Sequence, residues 1–398
     1  MSKVIFFGVP AHGHINPTLE VVKELVRRGE EVIYYGSAEF RSRITGTGAV
    51  YKEYPFSSWE DITKFDNNFP LLFRRISEIT DKMLDELIKD VREYRPEYII
   101  HDSLALWGKI IAHVLDKPAV CSTTTFAFNR EFVSVFDEFT VSIKDFIFMH
   151  AGHLIAGKRI QNKLAKKYGM KMQSYVNTFI STFMNMEALN IVYTTRELQP
   201  RSEAFDGSYI FVGPSIGQRD EAALTVPEDK KVIYVSLGTI NNEEEGFYNL
   251  CVEAFRDIDA AVIMSIGSRV NKDALNSIPE NFMIRNTVPQ LEVLSKADVF
   301  VTHGGMNSTS EGIYFGVPLI VIPKQGEQEI VAKRVEECGL GIYLRSVTVE
   351  TLRNSIKEVL NNGAYKDKVI NMSDNMKSAG GYTRAVDEIM NYKGRRTL

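Results

Sequence analysis

Residues 303–328 read HGGMNSTSEGIYFGVPLIVIPKQGEQ, and their order of apolar and polar segments indicates the kind of fold. A short apolar run, 298–302, stops directly before them, and a second strand-like run, 317–322, lies near their end. The polar segment between the two runs has the length and composition of a glycine turn followed by a helix. The stretch therefore predicts a strand, a turn, a helix and a second strand, as in a parallel α/β sheet.

The turn in this stretch has the composition of an anion site. Gly304 and Gly305 allow positive φ and close approach of the backbone to a ligand, and Asn307 or Ser308 is expected to cap the helix. Free N–H groups and the positive dipole end of such a helix favour a phosphate, and His303 adds a donor. A glycine pair alone fits an ordinary strand–helix turn, but the whole ordered set predicts a diphosphate site.

Strand-like and helix-like segments alternate along most of the chain, over 4–122 and again over 231–344. Such repetition favours parallel sheets covered by helices on both faces, so we predict an α/β protein of two doubly wound, Rossmann-like domains. A segment rich in proline, glycine and charge reads as the linker between them. The predicted boundaries are 1–213 for the first domain, 214–229 for the linker, 230–375 for the second domain, and 376–398 for a C-terminal helix that packs back on the first domain.

The composition narrows the class of protein. With 398 residues, 44% hydrophobic and 25% charged, the chain is long enough for two ordinary globular domains. A net charge of −4 gives no basic field for nucleic acid, and no apolar run approaches the roughly 18 residues of a membrane span. Cys121, Cys251 and Cys338 are far apart in apolar contexts, which indicates reduced thiols. Lys3 leads directly into a strand, so we expect no signal peptide and a cytoplasmic protein without a stable membrane anchor.

Polar residues follow four of the predicted strands. They are the turn His12-Gly13-His14, the pair His101-Asp102, the segment 237–239 and the stretch from His303. Ligands of open α/β sheets bind beyond the carboxyl ends of the strands. Because two of these features come from each domain, we expect one ligand site between the domains that all four can reach.

The two histidines of the first turn allow three interpretations. His12 and His14 could be a metal pair, but no further cluster of ligand spacing accompanies them. A histidine base oriented by a buried carboxylate, Asp102, fits better. A histidine that merely caps the next helix, which Asn16 and Pro17 are predicted to open as N-cap and first-turn proline, stays open as well.

Other catalytic signatures are weak or missing. Residues 257–259, Asp-Ile-Asp, match a metal-holding pattern of some sugar transferases, but they precede a strand and so lie away from the expected ligand edge. The sequence contains no G-x-G-x-x-G or Walker motif, which argues against dehydrogenase and kinase chemistry.

Several of these segments resemble one family. Residues 298–328, with Thr-Val-Pro-Gln at 287–290, resemble the nucleotide-sugar box of the UDP-glycosyltransferase family of inverting GT-B enzymes. Residues 8–17 resemble its amino-terminal motif and residues 235–239 its central one, and Phe-Val-Gly-Pro at 211–214 also matches. The resemblance runs essentially end to end and is greatest to bacterial macrolide-type glycosyltransferases, which also glucosylate flavonoids and other phenols. It implies a GT-B fold, with an acceptor-binding first domain and a nucleotide-sugar-binding second domain facing a central cleft.

The resemblance also implies the activity and the site. A hexose, expected to be glucose, would pass with inversion from a UDP-sugar to a hydroxyl of a small hydrophobic acceptor such as a macrolide, flavonoid or phenol, without cofactor or metal. His14 would be the general base, oriented by Asp102. Glu311 would bind the ribose. The donor-binding positions implied by the match are Gly238, Thr239, Val288, Gln290, His303, Gly305, Met306, Asn307, Ser308, Glu311, Glu327 and Gln328, the last two for the sugar hydroxyls.

Two features concern specificity. Many family members carry Trp where this chain has Thr287, and the indole stacks on uracil, so the choice between UDP and dTDP is open. Residues 124–187 are rich in Phe and Met and predict either helical core or an apolar acceptor pocket, since aromatic residues at helical spacing suit both. The acceptor candidates in this segment are Phe126, Phe132, Phe136 and Phe148.

Two alternatives to a transferase are compatible with the motifs. A nucleotide-sugar epimerase on the same scaffold would turn over the donor without an acceptor. A non-catalytic nucleotide-sugar-binding protein would bind the donor without forming any product, and it would leave His14 and Asp102 without a role.

Overall fold

The computed structural model describes residues 2–56, 68–129, 143–174, 178, 182–183, 185–217, 219, 224–227, 229–238, 244–275, 277–324 and 326–396. Side chains are described for all of these except 143–150 and 394–396. The chain divides into two compact units. Unit 1 is Met1–Ile216 with Ala379–Leu398, and unit 2 is Gly217–Ser378.

Unit 1 contains a seven-stranded parallel sheet within the described residues. Its strands are Lys3–Phe7 (β1), Glu31–Gly36 (β2), Val50–Glu53 (β3), Tyr98–Asp102 (β4), Ala119–Thr123 (β5), Asn190–Val192 (β6) and Tyr209–Phe211 (β7). Its helices are His12–Arg27 (α1), Arg41–Thr45 (α2), Phe69–Tyr94 (α3), Leu106–Leu115 (α4), Ile143–Lys167 (α5) and, at the C-terminus, Gly381–Arg396 (α12).

The strand order of this sheet places two strand ends next to each other. The order is β3-β2-β1-β4-β5-β6-β7, so the direction of winding reverses between β1 and β4. In β1, Ile5 and Phe7 pack in one hydrophobic cluster and Val4 and Phe6 in another, as expected for a strand buried on both faces. In such sheets the crevice at the reversal is where ligands bind.

Unit 2 repeats this plan with a six-stranded parallel sheet in the described residues. Its strands are Lys231–Ser236 (β8), Ala260–Ser265 (β9), Phe282–Arg285 (β10), Val299–Thr302 (β11), Leu319–Val321 (β12) and Gly341–Tyr343 (β13). Its helices are Glu245–Phe255 (α6), Gln290–Lys296 (α7), Met306–Tyr314 (α8), Gly326–Glu337 (α9), Val349–Asn361 (α10) and Gly363–Ser378 (α11). The order β10-β9-β8-β11-β12-β13 reverses between β8 and β11. The predicted α/β fold with two Rossmann-like parallel sheets is confirmed.

The last helix of the chain, α12, belongs to unit 1 and packs on α1. Val386 and Ile389 are buried in the same hydrophobic cluster as β1 residues. Asp387 accepts a hydrogen bond from Nη1 of Arg28 at 2.5 Å, and Lys393 Nζ lies 3.0 Å from Glu30 Oε1. Apolar burial and these ion pairs therefore hold the end of the chain on unit 1.

Two predicted helix starts are wrong. Helix α1 begins at His12 with Ala11 as its N-cap, and Pro17 lies inside the helix. The chain already turns at Ala11, whose N–H bonds to the Val9 carbonyl at 2.7 Å, so the Asn16-Pro17 pair only imitates a helix start. Helix α8 has Gly305 as its N-cap and no side-chain cap, so neither Asn307 nor Ser308 caps it.

Both corrections move polar residues into the first turn of a helix. His14 lies in the first turn of α1, and Met306, Asn307 and Ser308 form the first turn of α8. Backbone N–H groups of a first turn lack intrahelical partners and point beyond the helix start.

No helix in the described parts of the chain combines the length and apolarity that a membrane span requires.

Candidate functional site

The end of β4 and the start of α1 bring His14 and Asp102 together in unit 1. Nδ1 of His14 lies 2.8 Å from Oδ2 of Asp102, whose side chain is almost fully buried. The other oxygen, Oδ1, accepts the Leu104 N–H at 2.8 Å. Because a carboxylate only accepts, Nδ1 carries the proton and Nε2 of the neutral ring keeps a lone pair. The arrangement can therefore take up a proton at Nε2, with the carboxylate stabilising the resulting imidazolium.

Thr124 completes this arrangement, and sequence analysis missed it. Its Oγ1 lies 3.0 Å from the same Nδ1 of His14, and the residue is 2% exposed. Thr124 follows directly after β5, the neighbour of β4 in the sheet. The hydroxyl-rich run 122–125 was the available signal, but only the strand order shows that it ends beside His14.

His12 does not join His14. Its Nε2 lies 2.9 Å from Oε1 of Glu39, and its ring forms an edge-type contact with the ring of Phe40 at a centroid distance of 4.9 Å. The two histidines of the turn therefore have different partners. Within the described ranges, no group of three His, Cys, Asp or Glu side chains is arranged to hold a metal ion.

In unit 2, the ends of β8 and β11 place His303 between two glycines. A Cβ at Gly238 would stand 2.6 Å from Cε1 of His303, and a Cβ at Gly305 would stand 2.6 Å from Nε2. Gly238 also has a φ of +79°, which favours glycine. The imidazole thus packs directly on backbone on two sides, which requires glycine at both positions.

The His303 ring is neutral at pH 7. Burial lowers the pKa of His303 to about 4, and the positive charge of Lys324 adds to the shift. Its Nδ1 is buried and forms no hydrogen bond with the described residues. The ring can therefore offer a ligand a hydrogen bond but not a positive charge.

A hydrogen-bonded network surrounds Glu311 on α8. Oε2 of this buried carboxylate accepts from Nε2 of Gln290 at 2.6 Å, and Oε1 pairs with the guanidinium of Arg219. Gln290 Oε1 accepts from the Tyr234 hydroxyl at 3.0 Å, and its Nε2 lies 3.4 Å from Oγ of Ser308. The structure thus brings together three of the predicted donor residues, Gln290, Ser308 and Glu311, and adds Arg219 and Tyr234, which sequence analysis missed.

The remaining predicted residues lie as follows. Glu327 and Gln328 are in the first turn of α9, and Gln328 Oε1 accepts from the Lys324 N–H at 2.8 Å. Val288 lies just before α7, and Phe126 is 2% exposed after β5. Thr239, Phe132 and Phe136 lie outside the described residues, and Phe148 is on α5 in the part whose side chains are not described.

Comparison with known proteins identifies relatives of this chain. Residues 249–391 match the family model described as "Erythromycin biosynthesis protein CIII-like, C-terminal domain". An uncharacterized UDP-glucosyltransferase, YojK, of Bacillus subtilis (strain 168) is 35% identical over 402 residues, covering 98% of this chain and 97% of that protein. A demethyllactenocin mycarosyltransferase of Streptomyces fradiae is 30% identical over 407 residues, covering 98% of this chain and 86% of that protein.

A solved structure agrees over the same length. The glycotransferase of kitacinnamycin superimposes with a TM-score of 0.86 and 27% identity, covering 98% of each chain. The relatives are therefore similar across both units and not only over the glycine turn. With full-length relatives at 30% identity or more, this chain belongs to the UDP-glycosyltransferase family of GT-B glycosyltransferases, together with bacterial macrolide-type enzymes.

Proposed function

We propose that this chain is an inverting hexosyltransferase that moves glucose from UDP-glucose to a hydroxyl of a small hydrophobic acceptor, without a metal. The proposed acceptors are macrolides, flavonoids and simple phenols. The names of the relatives support a UDP-sugar donor and a natural-product acceptor. Reduced thiols and the use of a nucleotide sugar are in keeping with a cytoplasmic enzyme, with no nucleic acid as partner.

The observation that carries the proposal is the 2.8 Å contact between His14 Nδ1 and Asp102 Oδ2. The acceptor O–H gives its proton to Nε2 of His14 while its oxygen attacks the anomeric carbon. The bond from that carbon to the diphosphate oxygen breaks on the opposite side, and UDP leaves with the electron pair. A general base of this kind contributes about 10²–10⁴-fold in rate.

The donor half of the proposal rests on unit 2. The first turn of α8, residues 306–308, offers backbone N–H groups to the diphosphate, and the neutral His303 donates one hydrogen bond. Glu311 accepts from the ribose hydroxyls. Further proposed contacts are those of Gly238, Thr239 and Gly305 with the diphosphate, of Gln290 and the Val288 backbone with the base, and of Glu327 and Gln328 with the sugar.

The proposed acceptor site lies in unit 1, after β5. Of its four proposed residues, only Phe126 has a described side chain, and that side chain is buried at the end of β5, two residues after Thr124. Phe132, Phe136 and Phe148 complete the proposed set. Aromatic and methionine side chains can pack against flat or hydrophobic molecules of different shapes, which favours a broad range of acceptors.

Replacing the base tests the mechanism. His14→Ala should lower kcat by at least about 100-fold with UDP-glucose and a phenolic acceptor, while the Kd of UDP by calorimetry stays unchanged. The matched control is His12→Ala on the same turn, which removes the contacts with Glu39 and Phe40 and should keep full activity. Full activity of His14→Ala would refute the assignment of His14 as the general base.

The donor and the reaction class need separate assays. Mass spectrometry of UDP-glucose, UDP-galactose and dTDP-glucose against macrolides, flavonoids and phenols identifies the product, and NMR of the anomeric proton reads its configuration. We expect a β-glucoside from UDP-glucose and the same rate after EDTA. Sugar interconversion without an acceptor would identify an epimerase instead, and donor binding with no product from any acceptor would identify a binding protein.

A further inference from the structure

His101, the residue before Asp102, is a buried titratable group that the proposed mechanism does not use. Side chains alternate along a strand, so His101 points to the face of the sheet opposite to Asp102. The ring is fully buried. Gly108 of α4 packs against it so closely that a Cβ there would stand 2.4 Å from the His101 Cβ.

Both ring nitrogens of His101 face hydrogen-bond acceptors. Nδ1 lies 3.1 Å from the backbone carbonyl of Asp102, and Nε2 lies 3.2 Å from Oε1 of Glu187. A carbonyl cannot donate, and an ionised carboxylate cannot donate either. Both contacts are satisfied together only when both nitrogens carry hydrogen, that is, when the ring is an imidazolium.

Lys109 favours the ionised form of Glu187 independently of His101. Burial alone would raise the pKa of Glu187, but the hydrogen bond and charge of His101, together with Lys109, outweigh burial and leave the pKa below its usual value. Lys109 Nζ lies 3.3 Å from Oε1 and also donates to the Met186 carbonyl. The side chain of Asn190 bonds to both the N–H and the carbonyl of Glu187, which fixes the backbone that carries the carboxylate.

Among the described residues, the titratable groups near His101 include Cys121 as well as Glu187 and Lys109. The described residues place Glu187, Lys109 of α4 and Cys121 of β5 on its side of the sheet, and Asp102 beyond it on the other face. Burial raises the pKa of the Cys121 thiol to about 12, so this thiol is neutral near pH 7. The charges that matter are therefore those of Glu187 and Lys109.

We propose that His101 is a buried imidazolium, paired with Glu187, that positions the backbone of Asp102 and sets the pH range in which His14 accepts a proton. The proposal rests on the proposed roles of His14 and Asp102. A positive charge behind the Asp102 strand end opposes protonation of His14, so the base stays free at lower pH. His101 is a positioning residue, because it acts through Asp102 and not on the substrate.

The variant His101→Asn tests the charge. The amide N–H of Asn can replace Nδ1–H toward the Asp102 carbonyl, while the positive charge disappears. We expect the acid limb of the pH profile of kcat/KM for the acceptor to move to higher pH by about 0.5–1 unit, with the donor KM unchanged. A neutral ring would lose no charge in this variant, so an unmoved limb would overturn the proposal. His113→Asn, at an exposed position of α4, is the matched control and should leave the limb in place.

An NMR measurement of the His101 ring tests this proposal independently of the proposed enzymatic function. In ¹⁵N-histidine-labelled wild-type protein at pH 7.5, both His101 ring nitrogens should show imidazolium shifts, assigned by their loss in His101→Asn. Glu187→Gln should convert them to the shifts of a neutral ring. Neutral-ring shifts in the wild type would refute the proposal even if the enzyme transfers sugar. Imidazolium shifts together with an active His14→Ala would instead refute the proposed base.

Discussion

The hydroxyl of Thr124 lies 3.0 Å from Nδ1 of His14, the same nitrogen that faces Asp102 at 2.8 Å. The imidazole is thus held from two strand ends, which fixes the plane of the ring as well as its tautomer. Thr124→Val keeps the shape and removes the oxygen, so we expect a loss on the order of five-fold in kcat, corresponding to about 1 kcal/mol for one hydrogen bond.

Thr124→Ser is the matched control for this prediction because it retains the hydroxyl. It should keep most of the activity, and both variants should keep the donor KM, since Thr124 belongs to unit 1 and the donor contacts are proposed for unit 2. The check is steady-state kinetics with acceptor and donor varied separately. Equal activity of the Val and Ser variants would show that the hydroxyl has no role.

The ion pair between Arg219 and Glu311 should stabilise the folded protein more than an ordinary surface ion pair does. The Glu311 side chain is 7% exposed and shares its two oxygens between Arg219 and Gln290. Removing one partner of a buried pair leaves a charge poorly compensated. In a double-mutant cycle with Arg219→Met and Glu311→Gln, we expect a coupling of about 1–3 kcal/mol in the free energy of unfolding.

An exposed pair in the same unit serves as the reference. Arg345 Nη2 lies 2.8 Å from Glu336 Oε2, and the two side chains are 59% and 43% exposed. The double-mutant cycle of this pair should give a coupling of less than about 1 kcal/mol in the free energy of unfolding. Arg219→Met should also raise the donor KM, because Arg219 holds Glu311, the proposed ribose contact, in position. A coupling no larger than that of the exposed pair would contradict the prediction.

Gly305 is required by the packing of His303. An Ala Cβ would stand 2.6 Å from Nε2, so Gly305→Ala forces the ring to move at the start of α8. We expect the Kd of UDP, measured by calorimetry, to rise by about ten-fold or more, since overpacking of this kind costs about 1–3 kcal/mol. Gly246→Ala, on α6 with nothing within 4 Å of the added Cβ, should instead leave UDP binding unchanged and stabilise its helix by about 0.5–1 kcal/mol. Equal UDP affinity of the two variants would refute the packing argument.

The features that could be predicted from the sequence are local. The apolar run of β1 and the glycine turn after β11 reveal strand ends through their own composition, and the alternation of elements implies parallel sheets. The start of α1 was misplaced because Asn16-Pro17 imitates a cap, whereas the chain turns five residues earlier, at Ala11. Local composition thus predicts the type of an element better than its first residue.

The contacts that could not be predicted join distant segments. Thr124 is 110 residues from His14, and Arg219 is 92 residues from Glu311. The first contact depends on β5 lying beside β4, and the second on Arg219 reaching Glu311 in α8. No local pattern carries that information, because strand order and loop path are set by packing of the whole unit.

The neutral state of His303 should make the protein sensitive to acid. Because its folded pKa, about 4, lies below the ordinary value of 6.5, the unfolded chain binds more protons between these values, and stability falls as pH drops from about 6.5 toward 4. At pH 5 this loss should reach about 2 kcal/mol. His303→Gln has no such proton to bind. Urea unfolding of both proteins at pH 7.5 and pH 5 should therefore show the wild type losing about 2 kcal/mol more than the variant. Equal losses would mean that the ring is already charged, or solvated, in the folded state.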